Sequence, residues 1–227
     1  MRFQVETPDK IYYFENETTS KTLYDYLVYL KDNEGLVVNI DTTGFVKSFY
    51  DINPSSSEFW MLFEDGKKSD YGVKSLNLKD GSVYTFLINK VSEMNAVDIP
   101  APAAASGKKG VLVVVIRDEG TAVYRAISGA QTIGGLFDEL NAETKDGISV
   151  ECGNPDHPEY GAGFVNTVND GKKEGFFWQV YTGTGMAWKD EYFPDENYEG
   201  GSEVYDVTTV ELNNGMTVFL RENPPMS

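Results

Sequence analysis

Apolar positions recur along the chain with two periods, and the periods alternate. Arg2 to Thr7 and Lys10 to Glu15 alternate apolar and polar residues around Pro8-Asp9, which predicts two short strands joined by a turn. From Thr22 the period lengthens. Leu23, Leu27 and Leu30 fall on one face of a helix, with Thr22 as its N-cap and Asp25 three positions on. The same order returns later. Val111 to Arg117 and Ala122 to Ser128, joined around Glu119-Gly120, predict a second strand pair, and Thr132 opens a second helix with Ile133, Phe137 and Leu140 on one face. The two helices are 110 residues apart.

The parallel continues to the end of the chain. Gly44-Phe45-Val46 matches Gly163-Phe164-Val165 at an offset of 119, and Phe59-Trp60 matches Phe177-Trp178 at 118. Tyr71-Gly72-Val73 matches Tyr205-Asp206-Val207, and Leu78-Lys79-Asp80-Gly81 matches Leu212-Asn213-Asn214-Gly215, both at 134. Asp80-Gly81 and Asn214-Gly215 sit between apolar runs and predict hairpins, followed by final strands at Ser82 to Asn89 and Met216 to Glu222. This is an internal repeat. The offsets grow, so the second copy carries two insertions, Cys152 to Gly161 and Met186 to Ser202.

Between the copies lies a stretch rich in Ala, Pro, Ser and Gly without periodicity, which reads as a semi-extended linker. The expected organisation is a first domain over 1–95, a linker over 96–110 and a second domain with two insertions over 111–227. Strand pair, helix, then further strands is an α+β order, and one short helix packed on a mixed sheet is the β-grasp arrangement. The fold class expected is therefore α+β, two tandem β-grasp-like domains.

Charge and composition narrow the function classes. The 227 residues carry 19 basic and 36 acidic side chains, a net charge of −17. That argues against a nucleic-acid binder that tracks phosphates and against docking on an anionic membrane. No apolar run reaches spanning length, so direct membrane insertion is not expected. Met1 is followed by Arg2-Phe3-Gln4-Val5-Glu6, with no apolar run of the kind a leader has, so the chain is either not exported or lost a leader before this numbering begins. The single Cys152 excludes an internal disulfide and a Cys-rich zinc site, and the single His157 excludes most catalytic histidine constellations.

The motifs above resemble the transcobalamin C-terminal-like domain. The residues carrying the resemblance are Thr22, Leu23, Leu27, Gly44, Phe45, Val46, Phe59, Trp60, Tyr71, Gly72, Val73, Asp80 and Gly81. The second copy matches through Thr132, Ile133, Gly163, Phe164, Val165, Phe177, Trp178, Tyr205, Val207, Asn214 and Gly215. The resemblance implies tandem domains of a bacterial secreted or surface protein, hence an extracellular or cell-surface location. In the vitamin carriers of that family the domain closes over one face of cobalamin while a separate helical barrel supplies the other. This chain has no such barrel. A corrinoid is the flat ligand the resemblance implies.

Candidate chemistry is sparse. Trp60 and Trp178 occupy matching strand positions and are either repeated core aromatics or a stacking surface, with Tyr181 on the same strand as Trp178. Glu58 to Phe63 carries large apolar residues on both faces, so both faces need a cover. Trp188, Tyr192, Phe193 and Tyr198 are interleaved with the acidic run Asp190 to Glu199, which fits a contact patch. That run could offer carboxylates to calcium but lacks the spacing of a dedicated loop. Cys152 and His157 share one insertion and could form a nucleophile pair, or His157 could ligate a metal, but no orienting group is visible. Gly129 to Gly135 lacks the ending of a phosphate loop.

The reading that follows is a non-catalytic binding module of a surface-exposed protein, recognising a protein partner or a small neutral ligand. The alternative is a structural subunit of a larger assembly, such as a virion decoration or an envelope or appendage component. An enzyme built on Cys152 and His157 comes third.

Overall fold

The computed structural model describes residues 1–8, 10–96, 98–118, 120–143, 148–153, 158, 161–169, 176–185 and 202–224. The fold is α+β, mostly strand, with two helices and mixed sheets among the described residues. The chain forms two compact units, Met1–Ile99 and Pro100–Ser227.

The first unit runs β1 (Arg2–Glu6), β2 (Ile11–Glu15), α1 (Leu23–Asn33), β3 (Val38–Ile40), β4 (Val46–Phe49), β5 (Glu58–Glu64), β6 (Lys67–Lys68) and β7 (Val83–Lys90). Its main sheet has the order β2-β1-β7-β5-β6, and β3 pairs with β4 alone. β1 is antiparallel to β2 but parallel to β7, the last strand, which therefore lies at the centre.

The second unit repeats this plan with β8 (Lys109–Arg117), β9 (Gly120–Ser128), α2 (Ile133–Glu143), β10 (Val150–Cys152), β11 (Val165–Val168), β12 (Phe177–Thr184), β13 (Ser202–Val204) and β14 (Met216–Asn223). The sheet order is β13-β12-β14-β8-β9, with β14 parallel to β8 and β10 paired with β11. Strand for strand, the two orders are the same.

Each helix starts where its threonine caps it. Thr22 Oγ accepts from Asp25 N–H at 3.2 Å and donates to Asp25 Oδ2 at 2.8 Å, while Thr132 Oγ accepts from Gly135 N–H at 3.2 Å. The next orphan donors go to a loop instead of water. Leu23 and Tyr24 N–H donate to the carbonyls of Leu76 and Val73, and Ile133 and Gly134 N–H to those of Val210 and Val207. Leu23, Tyr26, Leu27 and Leu30 point inward and meet Phe3, Val5, Trp60, Leu62, Tyr84 and Phe86 in one core cluster. Gly35, at φ +77°, ends α1 in the left-handed region, and Glu34 and Leu36 N–H both return to Leu30 O.

Two details differ from the sequence expectations. Gly81 and Gly215 do turn with positive φ, but no hairpin forms at either place. Asn77 bridges Thr22 and Glu211 bridges Thr132, so the segment before each turn is consumed in closing the helix start and cannot pair with the strand that follows. Within 96–110, Asp98 bridges Lys67 and the buried Ile99 donates its N–H to Gly66 O at 2.7 Å. At the other end Lys109 and Gly110 already belong to β8, and a Cβ on Gly110 would overlap the Pro102 carbonyl.

A groove beside Trp60 as candidate functional site

In the first unit two loops and the edge of β5 enclose a groove of about 330 Å³, lined among others by Phe45, Trp60, Leu62, Tyr71, Phe86 and Met94. The sequence builds its rim from tight turns. Asp41 Oδ1 accepts from Thr43 N–H at 2.9 Å, Thr43 Oγ at 2.6 Å and Phe45 N–H at 3.0 Å, with Gly44 at φ +94°. The Thr43 hydroxyl, followed by the Phe45 amide, lowers the Asp41 pKa. The turn leaves Phe45 55% exposed.

The opposite rim is the segment after β6. Ser69 N–H donates to Leu62 O at 2.9 Å, and Ser69 Oγ takes the Tyr71 N–H at 3.1 Å. Val73 in turn holds the start of α1, so this loop is tied at both ends. Tyr71 is left 62% exposed. Lys68 Nζ donates to Met94 O at 2.7 Å and brings a third apolar side chain, half exposed, to the margin. Three large apolar groups thus forgo burial around one depression, which is unusual for isolated surface residues.

Trp60 forms part of the wall. It is only 5% exposed and packs edge-on to Phe49, with ring centroids 5.0 Å apart. Its indole Nε1 has no hydrogen-bond partner. Trp178 is 2% exposed and its Nε1 is likewise without a partner. The Arg117 guanidinium lies over its ring at 5.1 Å from the centroid, and Arg117 Nη2 donates to Val168 O at 2.8 Å. Tyr181 is half-buried, and burial, then the Glu203 carboxylate, pushes its hydroxyl up to about 12.

The other sequence candidates separate from this site. Trp188, Tyr192, Phe193 and Tyr198, the acidic run around them and His157 lie outside the described residues. Cys152 ends β10 on the surface of the second unit. Local desolvation, then the Asp138 carboxylate, raises its pKa, the opposite of what activates a thiolate. Among the described residues no cluster of three or more His, Cys, Asp or Glu side chains could hold a metal ion, and no helix is long and apolar enough to cross a membrane.

Sequence reasoning did not single out Phe45, Tyr71 or Met94 as contact residues. The available signal was an aromatic residue beside a glycine, in Gly44-Phe45, where the glycine turns at φ +94°, and in Tyr71-Gly72.

Comparison with known proteins adds little. No family model matches the chain, and no curated protein matches it. Among solved structures, a crystal structure of a "putative metal binding protein" from Ruminococcus gnavus ATCC 29149 is similar at 15% identity and a TM-score of 0.33, covering 39% of this chain and 94% of that one. At that score the likeness carries no argument about fold or function.

Proposed function

We propose that the protein is a non-catalytic binding module whose first unit makes contact through the groove between Phe45 and Tyr71. The observation that carries this reading is the convergence of three exposed apolar side chains, Phe45, Tyr71 and Met94, on one depression with a buried tryptophan in its wall. Ligand sites are concave and mostly apolar, with few polar groups that fix orientation. The raised pKa of Cys152 favours a non-catalytic reading over a thiol enzyme.

The strand order β2-β1-β7-β5-β6, with a parallel central pair and one helix, supports the β-grasp arrangement for each unit. It is also compatible with the transcobalamin-like resemblance and the surface location that resemblance implies. A corrinoid macrocycle does not fit the groove. About 330 Å³ is at the small end of ligand sites, and Trp60, 5% exposed, has little ring surface to offer a flat ligand. The occupant is a single apolar group, from a small neutral ligand or a protein partner.

The test uses nuclear magnetic resonance with indole, N-acetylphenylalaninamide and hydroxocobalamin as probes. The first two should shift signals of Phe45, Tyr71 and Met94. The Met94 shift should vanish in the double variant Phe45→Ala, Tyr71→Ala, which keeps its fold because both side chains are exposed. If neither small probe moves any groove signal, the reading is wrong. Shifts there with hydroxocobalamin alone would favour a corrinoid as the ligand instead.

A further inference from the structure

We propose that the edge of β5 facing this groove is a strand-addition site, where an extended peptide with a large apolar side chain and basic flanking residues pairs with Trp60. The inference rests on the groove being the contact site. Three hydrogen bonds fix which way each backbone group of β5 points. Asp65 N–H donates to Val83 O and Val91 N–H to Ser57 O, both at 2.9 Å, so odd-numbered residues of this strand face β7. Ser69 N–H donates to Leu62 O at 2.9 Å from the other side, so even-numbered residues face away.

Trp60 therefore turns both its N–H and its C=O away from β7, and Leu62 turns its N–H the same way. On that side β6 pairs only with Phe63 and Glu64, so the ladder stops short of Trp60. Among the described residues, Trp60 N–H, Trp60 C=O and Leu62 N–H meet no hydrogen-bonding group. The indole Nε1 of Trp60 is a further donor without a partner. One residue that lines the groove thus combines a backbone donor and acceptor left outside the ladder with a buried indole N–H that has no partner.

A peptide strand answers this arrangement directly. One of its residues offers a donor and an acceptor at the spacing that Trp60 N–H and C=O require, and its side chain can enter the groove between Phe45 and Tyr71. A small neutral ligand can fill the groove but does not supply that spaced pair. The first unit, with 10 basic and 16 acidic side chains over residues 1–99, is itself net acidic and favours cationic chains over anionic ones, which is why the flanking residues are basic. The strand edge then gives the main-chain pairing and the groove selects the side chain.

The experiment titrates the full chain with capped pentapeptides that have lysine at both ends, threonine inside and phenylalanine or leucine at the centre. The comparison set is the same peptides N-methylated at the central residue, their glutamate-ended versions, and N-acetylphenylalaninamide. The lysine peptides should shift the Trp60 and Leu62 amides and the Trp60 indole signal. N-methylation, which removes one ladder bond, should weaken binding about tenfold. Glutamate ends should weaken it as well, more so at low salt. If N-methylated and parent peptides bind equally and move only Phe45, Tyr71 and Met94, strand addition is wrong while the groove reading stands. Should neither the peptides nor the amide move any groove signal at millimolar concentration, both readings fall.

Discussion

Trp60 and Trp178 stand at the same place in two sheets of the same strand order, yet their neighbours are chemically opposite. Across β5 and β7, Trp60 lies opposite Ile88; across β12 and β14, Trp178 lies opposite the buried Glu222. Phe49 packs edge-on to the first indole, whereas the matching position in the second unit is the smaller Val168. There Arg117, where the first copy has Thr7, places its guanidinium over the indole. The difference extends to the surface, where Met61, Lys68 and Gly72 of the first unit correspond to Gln179, Glu203 and Asp206. The repeated scaffold sets where the ring stands. The neighbours decide whether the side chains around it are apolar, as at Phe49 and Ile88, or charged, as at Arg117 and Glu222.

The largest way to break the comparison is to remove the rings. Both are interior, so Trp60→Ala and Trp178→Ala should each cost about 3–5 kcal/mol. Denaturation followed through amide signals of each unit separately should place each loss in the unit that carries the substitution. A small loss for Trp60 would show that its ring is dispensable to the core and would change how the groove wall is understood.

Next in size is a pH effect that belongs to the first unit alone. Asp65, at the β5–β6 turn, accepts from Ser82 Oγ at 2.7 Å and from Val83 N–H at 2.8 Å. Desolvation nonetheless pushes its pKa up to about 6, against an ordinary 3.8; Glu64 adds to the rise and Lys79 opposes it. The folded state holds the proton more tightly than the unfolded one. This contribution is therefore fully present below pH 3.8 and lost as pH rises through about 6. It amounts to at most about 3 kcal/mol. Gly183 occupies the matching position in the second unit. Asp65→Asn should flatten the stability of the first unit between pH 4 and 7 and leave the second unchanged.

Arg117→Ala should cost the second unit about 1–2 kcal/mol, because it uncovers the Trp178 ring and leaves Val168 O without its donor. Adding Val168→Phe should recover part of that loss by restoring the edge-on contact seen at Phe49 and Trp60. No recovery would mean that the guanidinium and the phenyl ring are not interchangeable fillers. The smallest expected effects are at the helix caps, where Thr22→Ala and Thr132→Ala should each lose about 1 kcal/mol. The first should lose slightly more, since Thr22 also donates to Asp25. Thermal unfolding of the single variants measures both.

Local signals in the sequence carried much of the fold. Alternation at Arg2 to Thr7 and at Val111 to Arg117, and the threonines before Leu23 and Ile133, mark strands and helix starts because pleat and capping chemistry act over two to four residues. Asp80-Gly81 shows where such signals stop. The dipeptide does turn, but what precedes it is tied to Lys21 and Thr22, a long-range contact that no local pattern encodes. The site was less legible for the same reason. Trp60 could be singled out from the repeat, while Phe45, Tyr71 and Met94 come from three separate segments and have no shared period.

By itself, then, the sequence determined the element types, the repeat and the placement of a tryptophan in a strand of each half. Tertiary structure alone decided that β7 would lie between β1 and β5, that β6 would end after two residues, and that the Trp60 edge would be left open beside an apolar groove. Pairing partners and strand edges depend on which distant segments meet, and the free energy of those meetings comes from burying side chains far apart in the chain.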